Sequence, residues 1–390
     1  MYSFVLPFLA TCLLSPVSAA GVTGQAFGFG QATTGGGNAA PQTPSSLQEL
    51  TNWITDNVPR VILIDREWNF IGTEGSTSRN CCSQPTTTQC PGGTSAGQAW
   101  IQDTCDGGTW IPCTYDNAAQ TPLRVGSNKS IVGVGNRGVL RGKGLNISGQ
   151  TNIIIQNIHI TDLNPQYVWG GDAITLDTTD NVWIDHNKFS LIGRQMIVSG
   201  WNRAGHVTIS NNEFDGITRW SVGCNGKHYW TLLLLGQEDW YTFSGNWLHD
   251  VSGRAPHMGT DFTRSTNYFH GVNNYFENVD GHAFDVATNT WVLLEGNYFD
   301  NVRTPMTDTS LTSGAQLYTT STINAASTCL SPLGYICEWN RLGGSTGAWP
   351  DRTDQSVLNG FSSLRQYLIG HTPVADVPNN VRARAGVGKL

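Results

Sequence analysis

Four short segments of the chain carry side chains suited to an acidic, ring-shaped substrate. They are, in chain order, Trp169 and Asp172 in YVWGGDAITLD, Arg194 in IGRQMIVSG, Tyr229 and Trp230 in NGKHYW, and Arg254 in SGRAPHMG. A carboxylate flanked by guanidinium groups can orient an acid or ester, because guanidinium donors match the geometry of such groups. Aromatic rings beside them can stack on the apolar face of a sugar. The residue types therefore indicate a carbohydrate site.

Each of these polar residues also has an ordinary structural explanation. A lone arginine is most often a solvated charge or half of a surface ion pair. Asp185 and His186 in NVWIDHN are expected to hydrogen-bond the backbone at a bend rather than to catalyse. For His228, beside two aromatic residues, packing and function remain equally open. Spacing along the chain must therefore decide which residues meet.

That spacing is set by a repeated twelve-residue pattern in the middle of the chain. Its six copies are NIIIQNIHITDL from Asn152, NVWIDHNKFSLI from Asn181, HVTISNNEFDGI from His206, WYTFSGNWLHDV from Trp240, YFHGVNNYFENV from Tyr268 and WVLLEGNYFDNV from Trp291. The starts are separated by 29, 25, 34, 28 and 23 residues. Strand-length runs at such a period predict an all-β fold, a single-domain parallel β-helix whose coils bury their inner residues by stacking.

The seventh position of five copies is asparagine, which we predict to form a structural ladder at the bend of each coil. These residues are Asn187, Asn212, Asn246, Asn274 and Asn297, whereas the first copy has Ile158 there. A stacked side-chain amide can satisfy backbone groups that lack a strand partner. Arg194 and Arg254 follow the starts of their copies by thirteen and fourteen residues. This common phase places both on one face of the coil, where Asp172 can reach them.

The segments outside the repeat are predicted to close and cover the helix. A short helix with a Ser46–Glu49 capping box is expected to cap the N-terminal end. Residues 72–120 are predicted to be a Cys-, Thr- and Gly-rich loop region, and long loops are expected on one face of the coil. The tail from about 340 to 390 is expected to pack on the same domain, which would extend from 21 to 390.

Composition and the N-terminus exclude several classes of protein. A net charge of −7 with five lysines leaves no basic patch for a nucleic acid. Residues 1–20 have an apolar run ending in small residues, which predicts a secretory signal peptide cleaved near Ala19 or Ala20. An N-terminal anchor or buried strand is the alternative, but no apolar stretch is long enough for a membrane span. We therefore expect a secreted, extracellular monomer without a nucleic-acid or membrane partner.

Secretion also explains the number of cysteines, which we expect to form disulfides. After removal of Cys12 with the signal peptide, eight remain: Cys81, Cys82, Cys90, Cys105, Cys113, Cys224, Cys329 and Cys337. An even number in a secreted chain predicts disulfides, and the spacing is not that of a zinc site. Cys329 and Cys337 are expected to close a short loop, and one of the five crowded cysteines should bond Cys224. Sequons at Asn128 and Asn146 are candidates for glycosylation.

Several of these motifs together resemble one enzyme family. The runs WGGDAITLDTTDNVWIDHNKFSLIGRQ, NGKHYW, SGRAPHMG and VNNYFENVDGHAF resemble the fungal pectin lyases of polysaccharide lyase family 1, and the likeness extends from GVTGQAFGFGQATTGGG to about Asn301. The resemblance implies a right-handed parallel β-helix. It also implies a secreted enzyme that cleaves methyl-esterified α-1,4-linked galacturonan by endo-acting β-elimination and leaves 4,5-unsaturated oligosaccharides.

The resemblance assigns roles to the candidate residues. It implies Arg254 as the base, Asp172 and Arg194 as groups that polarise the substrate carbonyl, and a substrate cleft formed by Trp169, Tyr229, Trp230 and Arg219. The related pectate lyases bind Ca²⁺ through acids at positions that here are Arg194 and Val198, and their further arginine is here Gly259. A cation and an apolar side chain cannot supply the oxygen ligands of calcium, so no metal and no cofactor are expected.

Two alternatives remain open from the sequence. One is a calcium-dependent pectate lyase that acts on de-esterified polygalacturonate, and the other is a non-catalytic carbohydrate-binding β-helix. A hydrolase is disfavoured because hydrolases need carboxylic acids flanking the bond, whereas arginine dominates the cluster around Asp172. An arginine base is chemically demanding, since guanidinium has a pKa above about 12. Burial and the nearby charge of Arg194 are expected to lower it.

Overall fold

The computed structural model describes residues 21–85, 90, 96–259 and 265–390, and the predicted signal peptide at 1–20 lies outside them. The repeats stack as consecutive coils of a right-handed parallel β-helix, which confirms the predicted fold class. Each full coil contributes one strand to each of three walls, named A, B and C in the order in which the chain passes them. None of the helices in the described part of the chain has the length and apolar character needed to cross a membrane.

Wall A is a continuous parallel sheet of ten strands. They are Pro41–Gln42, Arg60–Ile64, Lys129–Gly133, Thr151–Gln156, Asp180–Asp185, Gly205–Ser210, Asp239–Ser244, Asn267–Val272, Thr290–Glu295 and Gln316–Tyr318. The fourth to ninth of these strands contain the starts of the six copies read from the sequence. The repeat therefore extends beyond those copies at both ends.

Walls B and C join through one long strand, Tyr275–Val286, which takes part in both. Wall B also contains Glu67–Asn69, Val139–Arg141, His159–Leu163, Lys188–Ile192, Glu213–Asp215, Trp247–His249, Tyr298–Met306 and Arg341–Gly343. Wall C also contains Leu123–Arg124, Leu145–Ser148, Ile174–Asp177, Ile197–Ser199, Leu232–Leu234 and His257–Met258. The connections from wall B to wall C include the longest insertions, and they carry the candidate site residues.

The predicted asparagine ladder occupies the short turns between walls A and B. Each of the five asparagines donates from its Nδ2 atom to the Oδ1 atom of the next at 2.9–3.0 Å. The last donates to Asn340, which continues the ladder beyond the copies recognised in the sequence. Each Oδ1 also accepts a backbone N–H, as Asn212 does from Asn187 at 2.9 Å. Phenylalanines two positions later stack inside the coil, with Phe276 and Phe299 centroids 4.7 Å apart.

Asp185 and His186 belong to this scaffold, but their side chains bond other side chains instead of the backbone groups expected at a bend. Asp185 is buried, and its carboxylate accepts hydrogen bonds from Ser210 at 2.7 Å and Gln156 at 2.8 Å. His186 Nδ1 lies 2.7 Å from the same carboxylate. These bonds tie three neighbouring coils together on the wall A side, away from the loops between walls B and C.

A short helix closes the N-terminal end. It spans Leu47–Thr55, and the Ser46 hydroxyl accepts a hydrogen bond from the Glu49 N–H at 3.2 Å, which confirms the predicted cap. The Glu49 carboxylate, however, bonds Ser45 N at 2.7 Å rather than Ser46 N. Leu50 and Ile54 are buried against the end of the core.

The C-terminal tail covers walls A and B. Helix Gln355–Ser362 buries Phe361 in one cluster with Leu293 of wall A, and helix Val377–Arg384 buries Val377 and Val381 beside Tyr275. The remaining helical segments are Asp308–Thr312, Ile323–Ala326, Leu330–Leu333 and the 3₁₀ turns Gly28–Ala32, Ala118–Gln120, Ser327–Cys329, Arg365–Tyr367 and Val374–Asp376.

The prediction of a loop region over 72–120 was wrong. Strands Ser76–Ser83 and Thr109–Asp116 pair antiparallel in this segment, and Ala99–Trp100 joins them to Tyr167–Val168. The disulfides Cys81–Cys113 and Cys82–Cys105 staple this small sheet. Covalent links within a small sheet compensate for its limited buried core.

The other two disulfides agree with the sequence. Cys329 bonds Cys337 across a short loop, and Cys224 takes the long-range bond, with Cys90 as its partner. The Cys90–Cys224 bond links the segment before the small sheet's Ala99–Trp100 strand to the loop that leads to Tyr229 and Trp230.

Candidate active site

Asp172 and Arg194 form a two-pronged ion pair between adjacent coils. Arg194 Nε donates to Asp172 Oδ1 at 3.0 Å, and Nη2 donates to Oδ2 at 2.9 Å. The Gln195 N–H donates to the same Oδ1 at 2.8 Å. Both side chains are mostly shielded, with 13% of Arg194 and 20% of Asp172 exposed. This fork-to-fork geometry fixes the guanidinium plane and leaves its outer donors for a ligand.

Trp169 covers the guanidinium of Arg194. The Arg194 Cζ atom lies 3.7 Å from the ring centroid, and the tryptophan remains 49% exposed. The three residues line an open cleft of about 460 Å³, whose opposite side includes Gln120 and Pro122. Gln120 donates from Nε2 to the Trp169 carbonyl at 2.8 Å, which anchors this exposed residue. The cleft thus presents an aromatic surface beside a fixed cation.

Arg254 lies two coils beyond Arg194 on the same face. Its guanidinium carbon is 4.7 Å from the Trp230 ring centroid and 6.0 Å from that of Tyr229. Within the described ranges, no carboxylate forms an ion pair with it, although most charged side chains of the fold do. Arg254 therefore differs from Arg194 in being held by aromatic rings instead of an acid.

The backbone at Arg254 is unusual. Its φ is +48°, in the left-handed region that non-glycine residues seldom adopt. Its N–H donates to His282 Nε2 at 3.1 Å, and its carbonyl accepts from the Leu232 N–H at 2.6 Å. Such conformations cost about 1–3 kcal/mol and persist where the surroundings enforce them. The fold therefore stabilises this side-chain direction at a cost.

The environment of Arg254 lowers the pKa of its guanidinium. Burial is the largest cause, and the positive charge of Arg194 acts in the same direction, whereas Tyr229 and Asp285 oppose it. Burial disfavours the charged form because less water solvates it. The direction agrees with the shift expected from the sequence.

His228 supports the site from beneath. It is buried, and its Nε2 lies 2.8 Å from the Arg194 carbonyl and 3.1 Å from the Trp230 carbonyl. Burial lowers its pKa to about 4, so the ring is neutral and donates to both carbonyls. The histidine therefore holds the backbone of Arg194, and these hydrogen bonds favour a structural role over a direct part in chemistry.

The aromatic residues occupy different depths. Trp230 is only 8% exposed and donates from Nε1 to Gln98 Oε1 at 3.0 Å, so it positions Arg254 more than it offers a surface. Tyr229 is half-buried and, with Trp100, lines a second open cleft of about 370 Å³. Trp100 packs edge-on to Trp230 at 5.8 Å.

Sequence reasoning missed Gln98, Trp100 and His282. Gln98 and Trp100 come from the segment predicted to be a loop, where no repeat marks a position. His282 lies just after the bulge in strand Tyr275–Val286, and its place next to Arg254 depends on that irregularity. The run VNNYFENVDGHAF contains it, but the pattern alone does not distinguish it from scaffold.

Arg219 and the two sequon asparagines lie outside the cluster of Asp172, Arg194 and Arg254. Arg219 is exposed, and no hydrogen bond or ion pair of the described residues joins its side chain to Asp172, Arg194 or Arg254. Asn128 is half-buried in a turn, where Oδ1 accepts from Asn152 at 2.8 Å. Asn146 lies in wall C, in register with Thr175 at the first cleft. Glycosylation of either asparagine stays a prediction.

Three positions differ from what the resemblance to pectate lyases would require. Two of them carry calcium ligands in those enzymes, and the third carries an arginine. Arg194 pairs with Asp172, and Val198 is buried in wall C between Thr175 and Leu233. Gly259 has φ +84°, and a Cβ atom there would overlap the Thr290 hydroxyl, so no arginine fits. These residues cannot assemble a set of oxygen ligands around a hard cation.

In wall B, away from the cleft, Glu213, Asp215 and His249 bring potential metal-ligand atoms within 4.8 Å of one another. Lys188 Nζ already lies between the two acids, 2.8 Å from Glu213 and 2.9 Å from Asp215. An ammonium therefore holds the place that a cation would take, and the group is an ion-pair network.

Comparison with known proteins gives consistent results at three levels. Residues 111–331 match the family model described as "Pectate lyase". The chain is 72% identical over 379 residues to the probable pectin lyase F of Neosartorya fischeri, covering 97% of this chain and 98% of that protein. It is 73% identical over 370 residues to the probable pectin lyase E of Aspergillus fumigatus, covering 95% and 96%.

Solved structures share the fold. A pectate lyase variant from Xanthomonas campestris superposes with a TM-score of 0.55 at 20% identity, covering 93% of this chain and 98% of that one. A pectate lyase bound to a hexasaccharide superposes with a TM-score of 0.55 at 17% identity, covering 93% and 97%. At these identities the likeness concerns the β-helix alone.

Proposed function

This chain belongs to the pectin lyases, polysaccharide lyases of the pectate lyase family, and we propose that Asp172, Arg194 and Arg254 form the site at which it cleaves methyl-esterified galacturonan by β-elimination. One observation carries the assignment to these residues. Arg254, whose guanidinium has no carboxylate partner among the described residues, stands on the same face as Arg194, whose guanidinium is locked to Asp172. The first suits proton abstraction, and the second suits charge stabilisation.

The proposed reaction begins with a neutral Arg254 guanidine that accepts the proton from C5 of the sugar. The electron pair of the C5–H bond forms the C4–C5 double bond, the C4–O glycosidic bond breaks, and the departing oxygen takes up a proton from solvent water. Negative charge develops on the ester carbonyl next to C5 during this step. Removal of the proton requires the lowered pKa that burial and Arg194 give to Arg254.

Arg194 stabilises the developing charge on the carbonyl oxygen. Its guanidinium is fixed by Asp172 before the substrate arrives, so little reorganisation is needed at the moment of reaction. A methyl ester is neutral and withdraws electrons, whereas a free carboxylate would have to become a dianion. Hydrogen-bond donors can therefore take the role that a metal has in enzymes acting on the free acid.

Substrate binding is proposed along the two clefts that flank Arg254. Trp169 and Tyr229 line them and provide surfaces for sugar rings. The substrate is therefore methyl-esterified pectin, bound by stacking and by few charges. Arg219 remains a weaker candidate at the periphery because its side chain is exposed and no bond to the three central residues is described.

Four disulfides support secretion into an oxidising compartment, in agreement with the proposed signal peptide at 1–20. We propose that the extracellular enzyme acts as a monomer. Size-exclusion chromatography with light scattering tests this, and a mass of twice the mature chain would contradict it.

Ultraviolet absorbance of the unsaturated product tests the function directly. On highly esterified pectin we expect absorbance to rise equally with and without a chelator. Activity only on polygalacturonate with added Ca²⁺ would instead establish the pectate lyase alternative. Binding to pectin without any unsaturated product would establish the non-catalytic alternative.

A further inference from the structure

The second cleft contains a cation that the proposed mechanism does not use. Arg303 lines it together with Trp100 and Tyr229. The arginine is exposed, and within the described ranges no carboxylate lies within ion-pair distance of its guanidinium. A free guanidinium in an aromatic cleft is a chemical signal for an anionic sugar, because arginine donors match a carboxylate in two-pronged fashion.

Asp280 lines the same cleft, but its carboxylate forms an ion pair with Lys227 instead of with Arg303. Lys227 Nζ lies 2.7 Å from Asp280 Oδ1 and donates to the Asn278 carbonyl at 2.9 Å. The lysine therefore neutralises the acid. The cleft then carries one uncompensated positive charge, that of Arg303. This local charge contrasts with the net charge of −7 of the whole chain.

A bulge sets the position of Arg303. The register between strands Tyr275–Val286 and Tyr298–Met306 shifts between Val279 and His282, opposite Arg303. Bulges commonly redirect side chains at functional sites. Gly347 packs against the Arg303 carbonyl, so the backbone there is also covered by the C-terminal tail.

The order of the coils places Arg303 relative to the reacting bond. Arg254 precedes the wall C strand His257–Met258, and Arg303 lies in the second coil after it. Parallel strands are about 4.8 Å apart, so the separation along the helix axis is about 10 Å. Tyr229 comes from the coil before Arg254; its ring centroid lies 6.0 Å from the Arg254 guanidinium carbon, and it also lines the Arg303 cleft.

We infer that Arg303 forms a subsite for an unesterified galacturonate residue, beyond the esterified residue under attack. This inference rests on the proposed function and adds a preference to it. The site that reacts requires an ester, whereas the Arg303 subsite binds a free carboxylate more tightly than an ester. A pectin chain that keeps the ester at the cleaved residue and has a free acid at a fixed distance from it consequently gains affinity through Arg303.

Two substrates of equal length test this inference, a fully esterified galacturonan and the same polymer randomly de-esterified to about half. Arg303→Gln removes the charge and keeps a polar side chain. We expect kcat/KM on the partially esterified polymer to fall about five-fold, mainly through KM, because an exposed ion pair is worth little. On the fully esterified polymer we expect no change.

Arg137→Gln is the matched control. Arg137 is also exposed, but it lies in the turn between strands Lys129–Gly133 and Val139–Arg141, away from the clefts. It should leave both substrates unaffected. Equal losses of Arg303→Gln on the two polymers, or no loss on either, would overturn the subsite.

Mass spectrometry of the products gives an independent reading. Wild-type products from the partially esterified polymer should carry a free acid preferentially at one position from the cleaved end, and Arg303→Gln should make that position random. An unchanged distribution would contradict the inference. Failure of the proposed function is distinguishable, because then the wild type would yield no unsaturated product from either polymer.

Discussion

Arg194 and Asp172, on neighbouring coils, are joined by two parallel hydrogen bonds of 3.0 and 2.9 Å. This pair replaces what could otherwise be the beginning of a cation site, because the guanidinium already neutralises the only carboxylate of the three central residues. In the proposed mechanism, the group that stabilises charge is therefore in place before any substrate binds. Removal of either partner should affect activity more than folding.

Asp172→Asn should lower kcat/KM on esterified pectin about 100-fold, a loss typical of a displaced charge-stabilising donor. The amide keeps the shape but offers only one acceptor oxygen, so the Arg194 guanidinium is no longer held on both sides. Initial rates from product absorbance measure the loss. Asp177→Asn, in the wall C strand of the same coil, serves as the control and should remain near wild type.

Replacement of Arg254 should remove the base without unfolding the chain. Arg254→Asn suits the test because asparagine tolerates the backbone φ of +48°. We expect kcat to fall about 1,000-fold, since loss of a general base costs about 100- to 10,000-fold in rate. Full activity of Arg254→Asn, which has no group able to accept the proton at this position, would refute the role of Arg254 as base.

The charge of Arg194 should be visible in the pH dependence of kcat. A base must be neutral to accept a proton, so activity rises as pH increases toward the pKa of Arg254. That pKa is lowered mainly by burial and further by Arg194. Arg194→Gln removes the second of these causes and should shift the rising limb to higher pH, because a nearby positive charge disfavours the protonated guanidinium.

Arg194→Lys provides the comparison for this shift. It keeps the positive charge but not the fork, so activity should fall while the limb stays where it is in the wild type. Rates are measured after subtraction of the uncatalysed elimination at each pH. An identical limb in Arg194→Gln would show that Arg194 does not act on the pKa of Arg254.

The scaffold was far more predictable than the parts that surround it. The coil has a regular repeat, and each copy makes the same hydrogen bonds. The ladder from Asn187 to Asn297 could therefore be predicted from the sequence alone. Asn340 was not predicted as a member of the ladder, because a long segment with several short helices separates it from Asn297 in the sequence. The small antiparallel sheet was not predicted, because its cysteines and threonines follow no repeat.

The site was predictable to the extent that it follows the phase of the coil. Arg194 and Arg254 share an angle around the axis, and the asparagine period made that visible. The depth of Trp230 and the place of Trp100 depend on contacts between a single non-repeating strand and a loop. Such contacts are absent from any local pattern, and only the tertiary structure reveals them.

Interruption of the ladder should destabilise the whole coil. Asn246 accepts from the Asn212 N–H and donates to the Ile209 carbonyl and to Asn274, all at 2.9–3.0 Å inside the core. Asn246→Ala leaves these groups buried without partners, which should cost about 3 kcal/mol of unfolding free energy. Thermal unfolding followed by circular dichroism measures it. Asn359→Ala, at an exposed position, should change nothing.

The network of Glu213, Lys188 and His249 should stabilise the fold most in mildly acidic solution. Burial alone would raise the pKa of Glu213, but hydrogen bonds from His249 and Lys188 hold it at about 2, below the ordinary 4.5. This stabilisation is complete above pH 4.5 and is lost as the pH falls toward 2.

His249 sets the upper limit of the same window. Burial would lower its pKa, but Glu213 and Asp250 raise it above 6.5, so its contribution is complete below pH 6.5 and is lost as the pH rises through the raised value. Glu213→Gln should therefore cost roughly 2 kcal/mol between pH 4.5 and 6.5 and less on either side. Melting temperatures across pH 2 to 9 test this, with Glu238→Gln as an exposed control. A destabilisation independent of pH would assign the loss to packing instead of charge.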